Sequence, residues 1–231
     1  MIQFSQISKA FKELKSFAER SPSSDLFQTK PFIYLSLGFS QVPAARRLPY
    51  SIALPNPFRS DARVCLFCKD QPELIDYCKT LDSRIEKVIP VSDVKNLYRT
   101  FEQRRALRGE FDRFICDHDV FGQLTSLLGK TFISSNRFPV PFHIVKGDDE
   151  KTKKNALLAI EGCEYYLRGG PLIVVPVGTT EMSSQQVKQN IVTVSTEVLK
   201  RLGESCLQRA CLKTTESPAL PIFSQLPEPH E

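Results

Sequence analysis

Two prolines flanking one asparagine, Pro55-Asn56-Pro57, cut the sequence into stretches of different rhythm. A proline has no backbone N–H to give and its ring crowds the preceding turn, so neither a helix nor a central strand runs through the pair. Before it, Ile2, Phe4, Ile7, Phe11, Leu14 and Phe17 recur at helical spacing and predict an amphipathic helix over residues 2–19 that stops near Ser21-Pro22. Residues 32–37 and 50–54 are short, apolar and aromatic. They predict two strands joined by a basic, proline-containing connection over residues 42–48.

After the break the pattern alternates. Strands are predicted at residues 64–68, 87–89 and 111–116, and between and after them come a helix opened by Pro72, one begun by Ser92 or Asp93, and one over residues 120–128. Alternating strands and helices imply a parallel sheet with right-handed crossovers, a three-layer α/β unit. Residues 137–144, with Pro139 and Pro141, fit only an irregular segment or an edge strand.

Beyond the charged run 148–154 the character changes back. A helix over 152–162 leads to strands at 163–168 and 172–177, which the Gly169-Gly170 pair between them joins as a hairpin. Ser183 and Gln186 form a capping-box pattern ahead of Val187, Ile191, Val194, Val198 and Leu202, and Gly203 closes that helix. Strands at 206–212 and 220–223 and a frayed, proline-rich tail complete the chain. This order predicts an α+β domain made of residues 1–57 and 149–231, interrupted by an inserted α/β, Rossmann-like domain over 58–148.

Charge and cysteine usage narrow the function classes. The net charge is +5, and residues 1–57 hold seven Lys/Arg against three Asp/Glu, so the positive surplus sits mainly in that first segment. Seven cysteines at irregular spacing fit reduced thiols rather than a disulfide framework. No stretch approaches the roughly 20 apolar residues that cross a bilayer, and the N-terminus lacks the pattern of a signal peptide, so a soluble, intracellular protein is expected.

Several motifs invite chemistry and fail on spacing. Gly129-Lys130-Thr131 resembles the end of a phosphate-binding loop, but the position five residues before Gly129 is Leu124, not glycine. Cys65 and Cys68 share a C-x-x-C spacing, yet on a strand residues i and i+3 point to opposite faces and cannot grip one zinc ion. Asp117-His118-Asp119 follows a strand, where α/β enzymes place their sites; the competing role is a helix N-cap, with Asp119 facing the helix N–H groups. No metal, cofactor or catalytic set is expected. Arg46-Arg47 lies in the basic connection and is a candidate phosphate contact, whereas Arg104-Arg105, on a helix with acidic neighbours, reads as solvated surface.

Three separated segments together resemble the ribosomal L-one family, whose members bind ribosomal RNA in the stalk of the large subunit. Phe111-Asp112-Arg113-Phe114-Ile115-Cys116-Asp117, then Leu127-Leu128-Gly129-Lys130 and Arg137-Phe138-Pro139-Val140-Pro141, are similar to its strand, helix, Leu-Gly and proline loop. Leu172-Ile173-Val174-Val175-Pro176-Val177-Gly178 and the capped helix after it resemble its Val-Pro-Ile-Gly strand and helix. Leu212-Lys213-Thr214-Thr215-Glu216-Ser217-Pro218 stands where the family has a strand ending in Ser-Thr-Met-Gly-Pro.

The resemblance implies that the domain built from both chain ends is the principal RNA binder and that the second domain packs beside it across a hinge. It implies that Lys213, Thr214, Thr215 and Ser217 approach RNA, with Arg46 and Arg47 in the adjoining N-terminal part. Glu216-Ser217 replaces the family's Met-Gly, and the loop between Gly129 and Pro139 is shorter and poorer in glycine. Those departures, with the ending Ala219-Leu220-Pro221-Ile222-Phe223, look like the eukaryotic nucleolar branch. The implied role is a non-catalytic ribosome-biogenesis factor of the nucleolus or nucleus, a monomer within a larger particle, bound to ribosomal or pre-ribosomal RNA and to pre-ribosomal proteins. The alternatives are a structural protein of the cytoplasmic ribosome's stalk and an enzyme with its site in the inserted domain.

Overall fold

A computed structural model describes residues 4–20, 31–133, 137–145 and 147–225. In chain order they form α1 (Phe4–Arg20), β1 (Phe32–Phe39), β2 (Tyr50–Ile52), β3 (Val64–Cys68), α2 (Pro72–Lys79) and β4 (Ile85–Pro90). Then come α3 (Val91–Leu97), α4 (Phe101–Glu110), β5 (Arg113–Asp117), α5 (Phe121–Leu128), α6 (Lys130–Ile133) and β6 (Val140–Phe142). The chain ends with α7 (Asp149–Glu161), β7 (Cys163–Tyr165), β8 (Leu172–Thr179), α8 (Ser184–Leu202), β9 (Leu207–Lys213) and β10 (Leu220–Ser224). The expected helix stop at Ser21-Pro22 and the end of the proline-rich tail lie outside the described residues. No described helix is long and apolar enough to cross a membrane.

The chain divides into two units, one from residues up to Phe58 together with those from Cys163 on, the other from Arg59 to Gly162. In the first, β10-β9-β1-β8 form an antiparallel sheet and β2-β7 a small second one. Alternate residues of β1 (Ile33, Leu35, Leu37, Phe39) and of β8 (Ile173, Val175, Val177) are buried against Ile7, Phe11 and Leu14 of α1 and Val187, Ile191, Val194 and Val198 of α8. Period two on the strands meets period 3.6 on the helices, which is how an amphipathic helix covers one face of a sheet. The Ser183–Gln186 capping box opens α8, and Gly203 ends it at φ +91°, a conformation open to a residue without Cβ.

The second unit has the strand order β4-β3-β5-β6, all parallel. All five residues of the central β3 are buried, as a strand covered on both faces requires. Val64, Leu66 and Cys68 pack with Cys78 and Leu81 from α2 and its end and with Ala156, Ala159 and Ile160 of α7. On the opposite face Phe67 stacks on Phe114 (6.1 Å between centroids) and Phe114 meets Phe132 of α6 edge-on (5.0 Å).

The structure departs from the sequence expectation in three places. Residues 149–162 belong to the second unit, not the discontinuous one: Arg113 donates from Nε and Nη2 to the Ala159 carbonyl (3.1 and 2.8 Å), and Glu161 pairs with Arg84 at 2.8 Å. The charged run 148–154 supplies the N-cap and first turns of α7: Asp148 accepts from the Lys151 N–H, the charged residues are exposed and Thr152 is buried. Gly169-Gly170 does not close a hairpin, because β7 pairs with β2 while β8 pairs with β1. The segment between them is held elsewhere, with Arg46 N–H donating to the Leu167 carbonyl and Phe39 N–H to that of Pro171. Where one helix was expected from Ser92 or Asp93 there are two, the second started by a capping box of Thr100 and Gln103.

Candidate nucleic-acid interface

Lys213 ends β9 opposite Tyr34 of β1, and the chain then turns through Thr214 to Ser217. The turn is held by its own side chains. Thr214 N–H donates to Ser217 Oγ (2.8 Å), Ser217 N–H donates to Thr214 Oγ1 (3.1 Å), and Ser217 Oγ donates to the Pro218 carbonyl (3.1 Å). Thr214, 5% exposed, is a buried strut of the turn, so among the residues expected to approach RNA it is one that the fold turns inward. Thr215 and Glu216 form the exposed tip, and Lys213 and Ser217 are half-buried.

Continuing the antiparallel register past Lys213 brings the turn beside the start of β1. There Phe32 is 37% exposed, with its ring 6.4 Å from that of Tyr34 and 5.8 Å from that of Phe58, both edge-on. Sequence reasoning passed over Phe32 and Tyr34 as strand residues. The signal was present: both are large aromatics in a strand whose alternate positions, Ile33 and Leu35, already supply the core.

Arg46 and Arg47 are exposed but stand elsewhere. The Arg46 guanidinium lies 4.2 Å from the centroid of the Tyr50 ring, which Arg201 of α8 also approaches (5.2 Å) and which stacks on Tyr165 (5.2 Å). Beside them Phe39, Val42, Pro43, Leu167 and Leu202 line a recess of about 450 Å³. The recess adjoins Phe39, the last residue of β1, whereas the Lys213–Ser217 turn adjoins its start. Eight residues at about 3.4 Å each set the two roughly 20–25 Å apart. The six expected contacts thus fall into two groups at opposite ends of one strand, not on one face.

The motifs of the second unit are accounted for locally. Cys65 and Cys68 are both fully buried; Cys68 packs with Cys78, and burial pushes the Cys65 thiol up. Asp117, 6% exposed, caps the turn after β5 by accepting from Asp119 N–H (3.4 Å), and burial raises its carboxyl above the usual range. Asp119, expected to be the cap, is instead ion-paired with Lys69, which holds its carboxyl low. His118 stacks on His143, with centroids 4.1 Å apart. Among the described residues no group of three His, Cys, Asp or Glu side chains is placed to hold a metal ion.

The family model described as ribosomal protein L1p/L10e family matches residues 13–218. A Schizosaccharomyces pombe protein named for ribosome biogenesis is 29% identical over 185 residues, 77% of this chain and 49% of that protein. The mouse (Mus musculus) ribosomal L1 domain-containing protein 1 is 27% identical over 234 residues, 95% of this chain and 51% of that one. The large ribosomal subunit protein uL1 of Pyrococcus abyssi is 28% identical over 141 residues, 58% of this chain and 61% of that one. The chain spans about half the length of the two eukaryotic relatives.

Proposed function

The chain belongs to the ribosomal protein L1p/L10e family, the L-one family of the sequence resemblance, and from that premise we propose that it is a non-catalytic ribosome-biogenesis factor that holds ribosomal or pre-ribosomal RNA. On this reading the two units are separate domains and the discontinuous one is the RNA binder. It works in the nucleolus, among pre-ribosomal proteins. The observation that carries the reading is the meeting, at the start of β1, of the exposed Phe32 ring, set edge-on to the half-buried Tyr34, with a turn that follows Lys213 and presents an exposed threonine. An unpaired base stacks on Phe32, Lys213 neutralises a phosphate, and Thr215 reaches a ribose hydroxyl. Glu216 sets a carboxylate beside the backbone and tempers the affinity. Arg47 adds a phosphate contact further along, while Arg46 stays on Tyr50.

Filter binding of the full chain to a ribosomal RNA stem-loop over a salt series tests this. Replacing Phe32 and Lys213 together by Ala weakens binding by about tenfold or more, and the lost lysine lowers the salt slope by about 0.9. Arg47→Ala lowers the slope by a similar amount and Arg46→Ala does not; Glu216→Met strengthens binding. Unchanged affinity in the Phe32/Lys213 variant, at an unchanged melting temperature, would sink the assignment. The likeness to archaeal uL1 favours a second reading, a resident protein of the large subunit. Sedimentation with mature subunits instead of precursor particles would select it.

A further inference from the structure

Two motifs that the sequence leaves aside, Arg104-Arg105 and Gly129-Lys130-Thr131, come together in the second unit. Along α4, Phe101, Arg104, Arg105 and Arg108 fall at i, i+3, i+4 and i+7, so they share one face, while Leu107, 1% exposed, marks the face turned to the core. The stripe overlies the corner between α5 and α6. Arg104 Nη1 lies 3.7 Å from where a Cβ on Gly129 would be, and Arg108 Nη1 donates to the Thr131 carbonyl (3.4 Å). Phe101, Arg105, Arg108, Lys130 and Thr131 line a recess of about 200 Å³.

The charge of this face is one-sided. Glu102 and Glu110 fall off the stripe, and Glu110 is turned to Lys87 (3.5 Å). Among the described residues Arg104, Arg105 and Arg108 are paired with no carboxylate. Phe101 itself is 65% exposed at the first position of the helix, where the Thr100–Gln103 capping box fixes its backbone. It contributes little to the core, and its neighbour is a guanidinium, with Arg104 Cζ 5.9 Å from its ring centroid.

We infer that this face of α4 is a second RNA-binding site, one for unpaired nucleotides: Phe101 stacks on a base while Arg105, Arg108 and Lys130 follow the phosphates. The inference rests on RNA being this chain's ligand. An acidic protein segment would be served by the cations alone and leaves the exposed ring without a role, whereas a single strand presents a π-face and a phosphate at every step. A duplex hides its base faces in the stack, so it offers Phe101 nothing.

The full chain contains no tryptophan, so Phe101→Trp installs a lone reporter. Titrated with an oligouridylate of about ten nucleotides, it loses emission saturably as a base stacks on it. Phe101→Ala weakens binding of the labelled oligonucleotide by about tenfold, and Arg105→Ala lowers the salt slope by about 0.7. Both effects persist when Phe32 and Lys213 are already Ala, since that pair belongs to the other site. Oligonucleotide binding lost in that background but untouched by Phe101→Ala would overturn this site and leave the first standing. Loss on Phe101→Ala with no effect of the Phe32/Lys213 pair on any RNA would do the reverse. Tighter binding of polyglutamate, abolished by Arg105→Ala without any change in Trp emission, would overturn the inference in favour of an acidic protein partner.

Discussion

In the unit built around β1, every ladder except β9–β10 joins strands far apart in the chain, β1 pairing with β8 and β9 and β2 with β7. In the parallel unit each strand pairs with one reached by a crossover, β3 with β4 and β5, and β5 with β6. The first therefore rests on non-local contacts whose loop-closure entropy must be met before any packing is gained, and the second on contacts that form within one stretch. The same contrast runs through the two candidate RNA faces. One is assembled from residues 32–34 and 213–217, the other from residues 101–108 and 129–131.

If the units are independent, a core cavity in one leaves the other protected. Phe114→Ala, removing a fully buried ring from the parallel unit, is expected to cost about 3–5 kcal/mol, and Leu37→Ala in β1 about 2–5 kcal/mol. Hydrogen exchange read by peptide is expected to rise in residues 64–142 for the first and in β1, β8 and β9 for the second. Uniform loss of protection in both would make the chain one cooperative block.

A smaller effect marks the exit of the chain from the discontinuous unit. Asn190, fully buried in α8, donates from Nδ2 to the carbonyls of Asn56 (2.8 Å) and Val177 (2.9 Å), and its Oδ1 accepts from Asn56 N–H (3.1 Å). Asn190→Ala leaves those groups without their partner and is expected to cost about 1–3 kcal/mol by denaturant melting. The loss should register in the discontinuous unit; an equal loss of exchange protection in β3 and β5 would erase the distinction.

Acid should act on the parallel unit, and least strongly. Hydrogen bonds from Arg84 hold the Asp82 carboxyl below its usual range, in a cluster that Glu161 completes. A lowered folded-state value means that this contribution is present above the usual carboxylate value of about 4 and is lost as pH falls through the folded one. The buried Asp117 carboxyl is raised and has the opposite sign, so the informative quantity is the difference between wild type and Arg84→Gln. That difference in stability should shrink on acidification; a constant difference would remove Asp82 from the account.

Periodicity revealed what is local in this fold. The spacing of Ile7, Phe11 and Leu14, the Ser183–Gln186 box and the strand–helix alternation after Pro57 each depend on neighbours within one or two turns, and they appear where the pattern puts them. What was not legible depends on partners far away. Asp148 begins a helix whose apolar side, Ala156 and Ile160, is short and mild, so only the strands it covers reveal its unit. The glycine pair at 169–170 has a hairpin's composition, but β7 pairs with the distant β2, where Tyr50 stacks on Tyr165, and local composition does not encode that partner. The candidate contacts split for the same reason. Arg46 and Lys213 are both near β1 in the pairing order, and the pattern of residues does not say at which end.

The place of β1 in the middle of its sheet also has a consequence during synthesis. Both its edges wait for strands made much later, so at ~5–20 residues per second the nascent chain carries an apolar, unpaired strand for roughly ten to thirty seconds before β8 and β9 leave the ribosome. The parallel unit is complete in that interval. A translating ribosome thus emits first a folded middle and a strand in need of shelter, and the Phe32 surface comes into being only when the last strands arrive. A chain cut short before β9 would carry the α4 stripe but not the Lys213–Ser217 turn that completes the surface beside Phe32.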